Sequence, residues 1–68
     1  MKLSARNRIV GSIIAISRGA VTSHVSIDIG GSVITSSITN EAVDELALSI
    51  GDEVYAVVKA SDVMVGKD

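Results

Sequence analysis

Residues 21–31 constrain the fold more than any other stretch of the chain. Val21, Ser23, Val25, Ile27 and Ile29 alternate with Thr22, His24, Ser26 and Asp28, and the alternation runs into Gly30-Gly31. A period of two puts successive side chains on opposite faces of a strand, so the odd positions predict a mostly buried face and the even positions a wet one. Paired glycines supply the positive φ of a tight hairpin turn. Val33-Ile34-Thr35-Ser36-Ser37-Ile38 then reads as the returning strand, an antiparallel neighbour of the first.

The flanking segments extend this sheet. Residues 8–17 are too β-branched and too imperfectly amphipathic for a helix and read as one long strand, with Gly11 marking a bend or a close approach and Arg18-Gly19 a turn. Val54-Tyr55-Ala56-Val57-Val58 reads as a fourth strand and Val63-Met64-Val65 as a short fifth. Asn40 precedes residues 41–46 and is expected to cap a short helix there, with Glu41 at the favourable end of the dipole and Val43 and Leu46 facing the sheet. Residues 48–52 turn the chain between that helix and the fourth strand. Five strands with one short helix between the third and fourth predict an all-β fold, a five-stranded Greek-key barrel of the oligonucleotide/oligosaccharide-binding (OB) type, with an SH3-like barrel as the alternative.

Size decides how such a sheet can be stabilised. The 68 residues are expected to form one domain, 1–68, near the size at which a single core only just offsets the entropy of ordering the chain. The chain has no Cys, so a disulfide and a thiolate metal site are both excluded, and oligomerisation is the remaining support. Hydrophobic residues are 47% of the chain, nearly all Val, Ile, Ala and Leu, and a chain this short has little interior to hide them, which places some in subunit interfaces.

Most enzyme and nucleic-acid functions are disfavoured on chemical grounds. A net charge of −2 and a single aromatic, Tyr55, suit neither phosphate backbones nor base stacking nor an acidic membrane. Met1-Lys2-Leu3 does not open a signal segment and no apolar run approaches the ~18 residues of a membrane span, so a cytoplasmic location without membrane contact is expected. His24 is the lone histidine and cannot specify a zinc site. The carboxylates are scattered over turns and surfaces, and no Ser-His-Asp or Cys-His set can be assembled, so no catalytic residue, catalytic cofactor or direct cation site is expected. Gly30-Gly31 lacks the longer glycine pattern and Lys-Ser/Thr of a nucleotide loop.

Functional side chains concentrate instead in two short polar segments near the ends, Ser4-Ala5-Arg6-Asn7 and Lys59-Ala60-Ser61. Each joins a cation to a hydroxyl and to backbone N–H groups, the donors an oxyanion needs. Arg6 offers a planar fork and Lys59 a compact charge, while Ala5 and Ala60 leave their N–H groups accessible without filling a pocket. Neither segment can hold an anion alone. Together they can enclose one if folding or assembly brings a first strand beside a last strand. Asn7 is expected to hold a turn or interface backbone.

The chain resembles the molbindins, small molybdate-binding proteins consisting of one molybdenum/oligosaccharide-binding domain. The resemblance rests on Ser4-Ala5-Arg6-Asn7, on Gly51-Asp52-Glu53-Val54, and on the run from Ala56 to Met64 that contains Lys59-Ala60-Ser61-Asp62. Ile38-Thr39-Asn40, Ala42-Val43 and the Leu46/Leu48 pair also match, so it covers essentially residues 1–67. The resemblance implies a cytoplasmic binder of molybdate, and of the similar tungstate, in a homohexamer built as a trimer of dimers. It carries Ser4, Ala5, Arg6, Lys59, Ala60 and Ser61 onto an oxyanion site between subunits, the opening segment from one and the closing segment from another. It also suggests further anion sites near symmetry axes, for which Arg18, Gly19, Ala20, Val21, Thr22 and Ser23 are candidates, a plain structural turn being the alternative. Storage, buffering or delivery to molybdenum-cofactor assembly proteins are the roles it leaves open. The competing classes are a small barrel binding single-stranded nucleic acid and a structural or regulatory oligomer without useful anion affinity.

Overall fold

A computed structural model describes residues 4–68; Met1-Lys2-Leu3, read above for the lack of a signal segment, lie outside the described residues. Strands β1 (Asn7–Arg18), β2 (Thr22–Asp28), β3 (Val33–Thr39) and β4 (Glu53–Val58) form one sheet in the order β3-β2-β1-β4, every neighbouring pair antiparallel. Helix α1 (Asn40–Glu45) lies between β3 and β4 in sequence, and Ala60–Asp62 forms a 3-10 turn.

The β2–β3 hairpin follows the alternation. Ser23, Val25 and Ile27 are buried while Thr22, His24 and Asp28 are exposed. Gly30 and Gly31 take φ of +93° and +97°, and the Ile29 N–H donates to the Ser32 carbonyl at 2.9 Å across the turn. The Asp28 carboxylate accepts the Gly30 N–H at 3.0 Å, an Asx-type bond that pre-forms the bend.

The long strand β1 curves because its pairing is irregular. Its register with β2 shifts between Ile13 and Ala15, which leaves Ile14 as an extra residue, a bulge that turns the strand over. Before it Ile9, Gly11 and Ile13 point inward; after it Ile16 does. This accounts for the run Ile13-Ile14-Ala15-Ile16, which fits neither a helix nor a simple alternating strand. Gly11 marks a close approach: a Cβ there would lie 2.5 Å from Ile27 Cγ2 and 2.6 Å from the Asp28 carbonyl oxygen. A second two-against-one bulge faces Ile13, whose N–H donates to the Asp52 carbonyl and whose carbonyl accepts the Gly51 N–H, with Gly51 at φ +95°.

Helix α1 differs from the expectation at its start. Thr39, not Asn40, is the N-cap: its hydroxyl accepts the Ala42 N–H at 3.1 Å. Asn40 is the first helical residue and is used as a tether, its Oδ1 accepting from the Ser23 hydroxyl, its Nδ2 donating to the Gly19 carbonyl at 3.0 Å and its N–H to Val21. Ser23 is the buried polar residue among those described, and this bond meets the desolvation cost of its hydroxyl. Val43 is buried against the sheet, but Leu46 is 67% exposed, because the surface it was expected to cover is open in a single chain. Past the helix Ala47 sits at φ +50°, with the Ala47 N–H on Asp44 and the Leu48 N–H on Val43, a Schellman closure with alanine where glycine is usual.

The closed five-stranded barrel is not formed. Edges β3 and β4 do not pair with each other, and the chain is an OB-like half-barrel. Val63-Met64-Val65 is not a strand: the Val63 N–H bonds back to Ala60, and the three residues are 52%, 93% and 94% exposed. A strand exists only through a neighbour's hydrogen bonds, and none of the described strands pairs with this segment. The buried apolar residues among those described are Ile13, Val25, Ile27, Val43 and Ala56, a small core for a chain of this hydrophobicity.

Three substitutions test this packing. Gly11→Ala is expected to lower stability by about 1–3 kcal/mol, since the new methyl meets backbone and a packed isoleucine, whereas Gly66→Ala, with open space around it, leaves the urea midpoint unchanged at equal protein concentration. Ala47→Gly is expected to raise stability by up to ~1 kcal/mol by relieving the left-handed alanine; an unchanged or lower midpoint would contradict the strained cap.

Candidate oxyanion site

The β1–β4 ladder brings the two polar segments together. Its register pairs Ile9 with Ala56 on the inner face and Arg8 with Val57 on the outer, and ends at Asn7 opposite Val58. A one-residue slip would expose the buried Ala56, so burial locks this register. Asn7 seals the end, its Nδ2 donating to the Val58 carbonyl at 3.3 Å, the structural role expected for it. Arg6 and Lys59 are the next residue on each strand, and Ser4-Ala5 and Ala60-Ser61 follow outward.

Beyond the ladder both segments stay accessible. Ser4, Arg6, Lys59, Ala60 and Ser61 are exposed and Ala5 is half-buried. The closing segment is shaped by the 3-10 turn, in which the Asp62 N–H donates to the Lys59 carbonyl at 2.9 Å. Within one chain Arg6 and Lys59 leave the ladder end on neighbouring strands, and neither segment is enclosed.

The second candidate set is arranged differently. Arg18, at the end of β1, gives both arms of its fork to Asp44 of α1, Nη1 to Oδ1 at 2.8 Å and Nη2 to Oδ2 at 2.9 Å. This bidentate bond raises the Arg18 pKa and lowers that of Asp44 below the ordinary carboxylate value, in each case chiefly through the hydrogen bond itself. The Gly19 N–H is bound to the Thr22 carbonyl and the Gly19 carbonyl to Asn40, while Ser23 is buried with its hydroxyl on Asn40. Ala20, Val21 and Thr22 are exposed. The cation and the serine of this turn therefore serve the fold. Sequence reading missed the Arg18–Asp44 pair because 26 residues separate its members and nothing local signals it. The inward position of Ser23 in the alternating strand was the available sign that its hydroxyl would be committed.

His24 is exposed on the outer face, opposite Ser17 and Ser37 in the registers of its two neighbours. Among the described residues no group of three His, Cys, Asp or Glu is placed to hold a metal ion. No helix among them is long and apolar enough to cross a membrane.

The TOBE domain model matches residues 3–65. A probable molybdenum-pterin-binding protein of Haemophilus influenzae is 49% identical over 67 residues, covering 97% of each chain. Among solved structures, a molybdate-binding protein from Sporomusa ovata superposes with a TM-score of 0.94 at 36% identity, covering 98% of this chain and 100% of that one. The cytoplasmic molybdate-binding protein ModG, solved with molybdate bound, superposes with a TM-score of 0.87 at 45% identity, covering 94% of this chain and 46% of that one.

The Arg18–Asp44 pair has a direct test. Since the Asp44 pKa is lowered in the folded state, the pair contributes stability above the ordinary carboxylate range and loses it as pH falls through the folded value. A carboxyl-carbon NMR titration should give Asp44 a midpoint below that of Asp44 in an Arg18→Gln variant. Equal midpoints for Asp44 in the two proteins would contradict the pairing.

Proposed function

The chain belongs to the TOBE-domain family, among its small molbindin-type members, and from that we propose that it is a cytoplasmic, non-catalytic binding protein for molybdate and tungstate. Ser4, Arg6, Lys59 and Ser61 donate to the oxyanion through their side chains, and Ala5 and Ala60 through backbone N–H groups. The observation that carries the reading is the end of the β1–β4 ladder at Asn7 and Val58, from which Arg6 and Lys59 continue on adjacent strands. A tetrahedral dianion presents four oxygens, and a guanidinium fork, an ammonium, two hydroxyls and two amides suffice to meet them with charge-assisted bonds. The guanidinium, ammonium and amides of this set only donate, so the O–H of a protonated oxyanion finds an acceptor only in a serine hydroxyl, at the expense of that hydroxyl's own donation. Discrimination against the smaller sulfate comes from cavity size and donor spacing, because both ions carry the same charge.

The site lies between subunits of a homohexamer arranged as a trimer of dimers, the opening segment of one subunit meeting the closing segment of another. Exposure of both segments in the single chain supports this, since an anion held there in open water gains little from donors that water already matches. The ladder end also favours a second arrangement, in which both segments come from one chain and a second copy only covers them. Arg18 to Ser23 could act as an auxiliary site only at the expense of the Asp44 and Asn40 bonds. Storage, buffering and delivery to molybdenum-cofactor assembly proteins all use the same binding step.

Calorimetry on the desalted oligomer is expected to show tight molybdate and tungstate binding and weak sulfate binding. Arg6→Ala and Lys59→Ala should each weaken molybdate binding about ten- to hundredfold, roughly 1.5–3 kcal/mol for a lost charge-assisted contact, with the oligomer mass unchanged by native mass spectrometry. Unchanged isotherms for both folded variants reject the site. Coassembly of an Arg6→Ala chain with a Lys59→Ala chain separates the two arrangements: sharing between subunits regenerates pockets with both cations intact and restores tight binding to part of the sites. A site built from one chain regenerates none.

A further inference from the structure

Asn7 sits where strand composition disfavours it. Asparagine is depleted in strands, yet Asn7 opens β1 on the face it shares with Ile9, Gly11 and Ile13, and it is half-buried there. Its partner Val58 is half-buried as well, and the two form the last pair of the β1–β4 ladder. Two pairs further in, the buried Ala56 holds the register by packing. At the last pair neither side chain is buried, and a terminal pair held by backbone bonds alone frays. The bond from Asn7 Nδ2 to the Val58 carbonyl oxygen, 3.3 Å long, ties the two strands at that point across 51 positions of sequence.

Arg6 and Lys59 are the next residue on each strand, so this tie fixes where both cations leave the ladder. We propose that Asn7 is a positioning residue whose amide sets the spacing of the oxyanion donors, and with it the preference for molybdate over sulfate; the inference rests on the oxyanion reading above. Both ions are tetrahedral dianions, so charge does not separate them, and a pocket rejects the smaller one only if its donors cannot close in on it. A frayed ladder end lets Arg6 and Lys59 shift and follow either ion. The tie acts in both arrangements of the site. In a pocket built from one chain it fixes the gap between the two cations directly, and in a shared pocket it keeps rigid each of the ladder ends that meet there. Asn7 is not itself a donor to the anion, because its Nδ2 is committed to Val58 and its side chain lies on the inner face, one residue out of phase with Arg6.

Two variants of the full chain separate positioning from plain structural support. Asn7→Val removes the donor while favouring the strand and keeping apolar cover over Val58. Asn7→Asp keeps the shape and also loses the donor, and its added charge penalises both dianions alike, so that penalty cancels in their ratio. Each variant is checked for the wild-type mass by native mass spectrometry and for its urea midpoint, then titrated by calorimetry with molybdate and, in competition, with sulfate. The molybdate-to-sulfate affinity ratio is expected to fall about tenfold in both, through weaker molybdate binding, while the urea midpoint of Asn7→Val stays level or rises. An unchanged ratio in either folded variant overturns the proposal, and so does loss of the oligomer in both, which would make Asn7 a folding residue. In an Arg6→Ala background Asn7→Val should cost less molybdate affinity than it does in the wild type, because one of the two positioned cations is already gone. An equal, additive loss overturns the positioning role. Arg6→Ala and Lys59→Ala without effect on binding would remove the oxyanion reading and this inference with it, whereas weakened binding in those two beside an unchanged ratio in the Asn7 variants removes this inference alone.

Discussion

The β1–β4 ladder is the contact on which the rest of the molecule depends. It joins residues as far as 51 positions apart, so its formation carries the loop-closure cost of nearly the whole described chain before its bonds form. What offsets that cost is the burial of Ala56 and part of Ile9 and Val54 on its inner side, which also forbids a slip in register. The register in turn places Arg6 and Lys59 at one strand end. Core packing and the placement of the polar groups are therefore one constraint seen from two sides.

Curvature follows from irregularities on β1. The Ile14 bulge and the Gly51-Asp52 bulge opposite Ile13 bend a single long strand so that its first half pairs with β4 and its second half with β2. Gly11 lets Ile27 and the Asp28 backbone approach at the point of tightest bending. A flat four-stranded sheet would leave its edges far apart with no concavity between them. The bent one leaves an apolar groove lined by Ile13, Val25, Ile38, Leu46 and Val54.

The core is small and apolar surface is left open: Met64 and Val65 are more than nine-tenths exposed and Leu46 two-thirds, in a chain near the lower size limit of independent folding. If the proposed shared site holds, assembly and anion binding are linked, because an anion bound only by the assembled state stabilises it by mass action.

By itself the sequence determined whatever depends on neighbours a few residues away: the β2–β3 hairpin from its alternation and Gly30-Gly31, the inward positions of Val25 and Ile27, and the short helix after β3. Tertiary structure decided what depends on distant partners. Thr39 displaced Asn40 as the cap because Asn40 is drawn to Ser23 and Gly19, which fold back from an earlier strand. Arg18 was committed to Asp44 because β1 and α1 meet there. Val63-Met64-Val65 has the composition of a strand without being one, because strand structure is a property of a pair of segments. Composition can propose a strand, but only a backbone lying beside it supplies the hydrogen bonds that make it one.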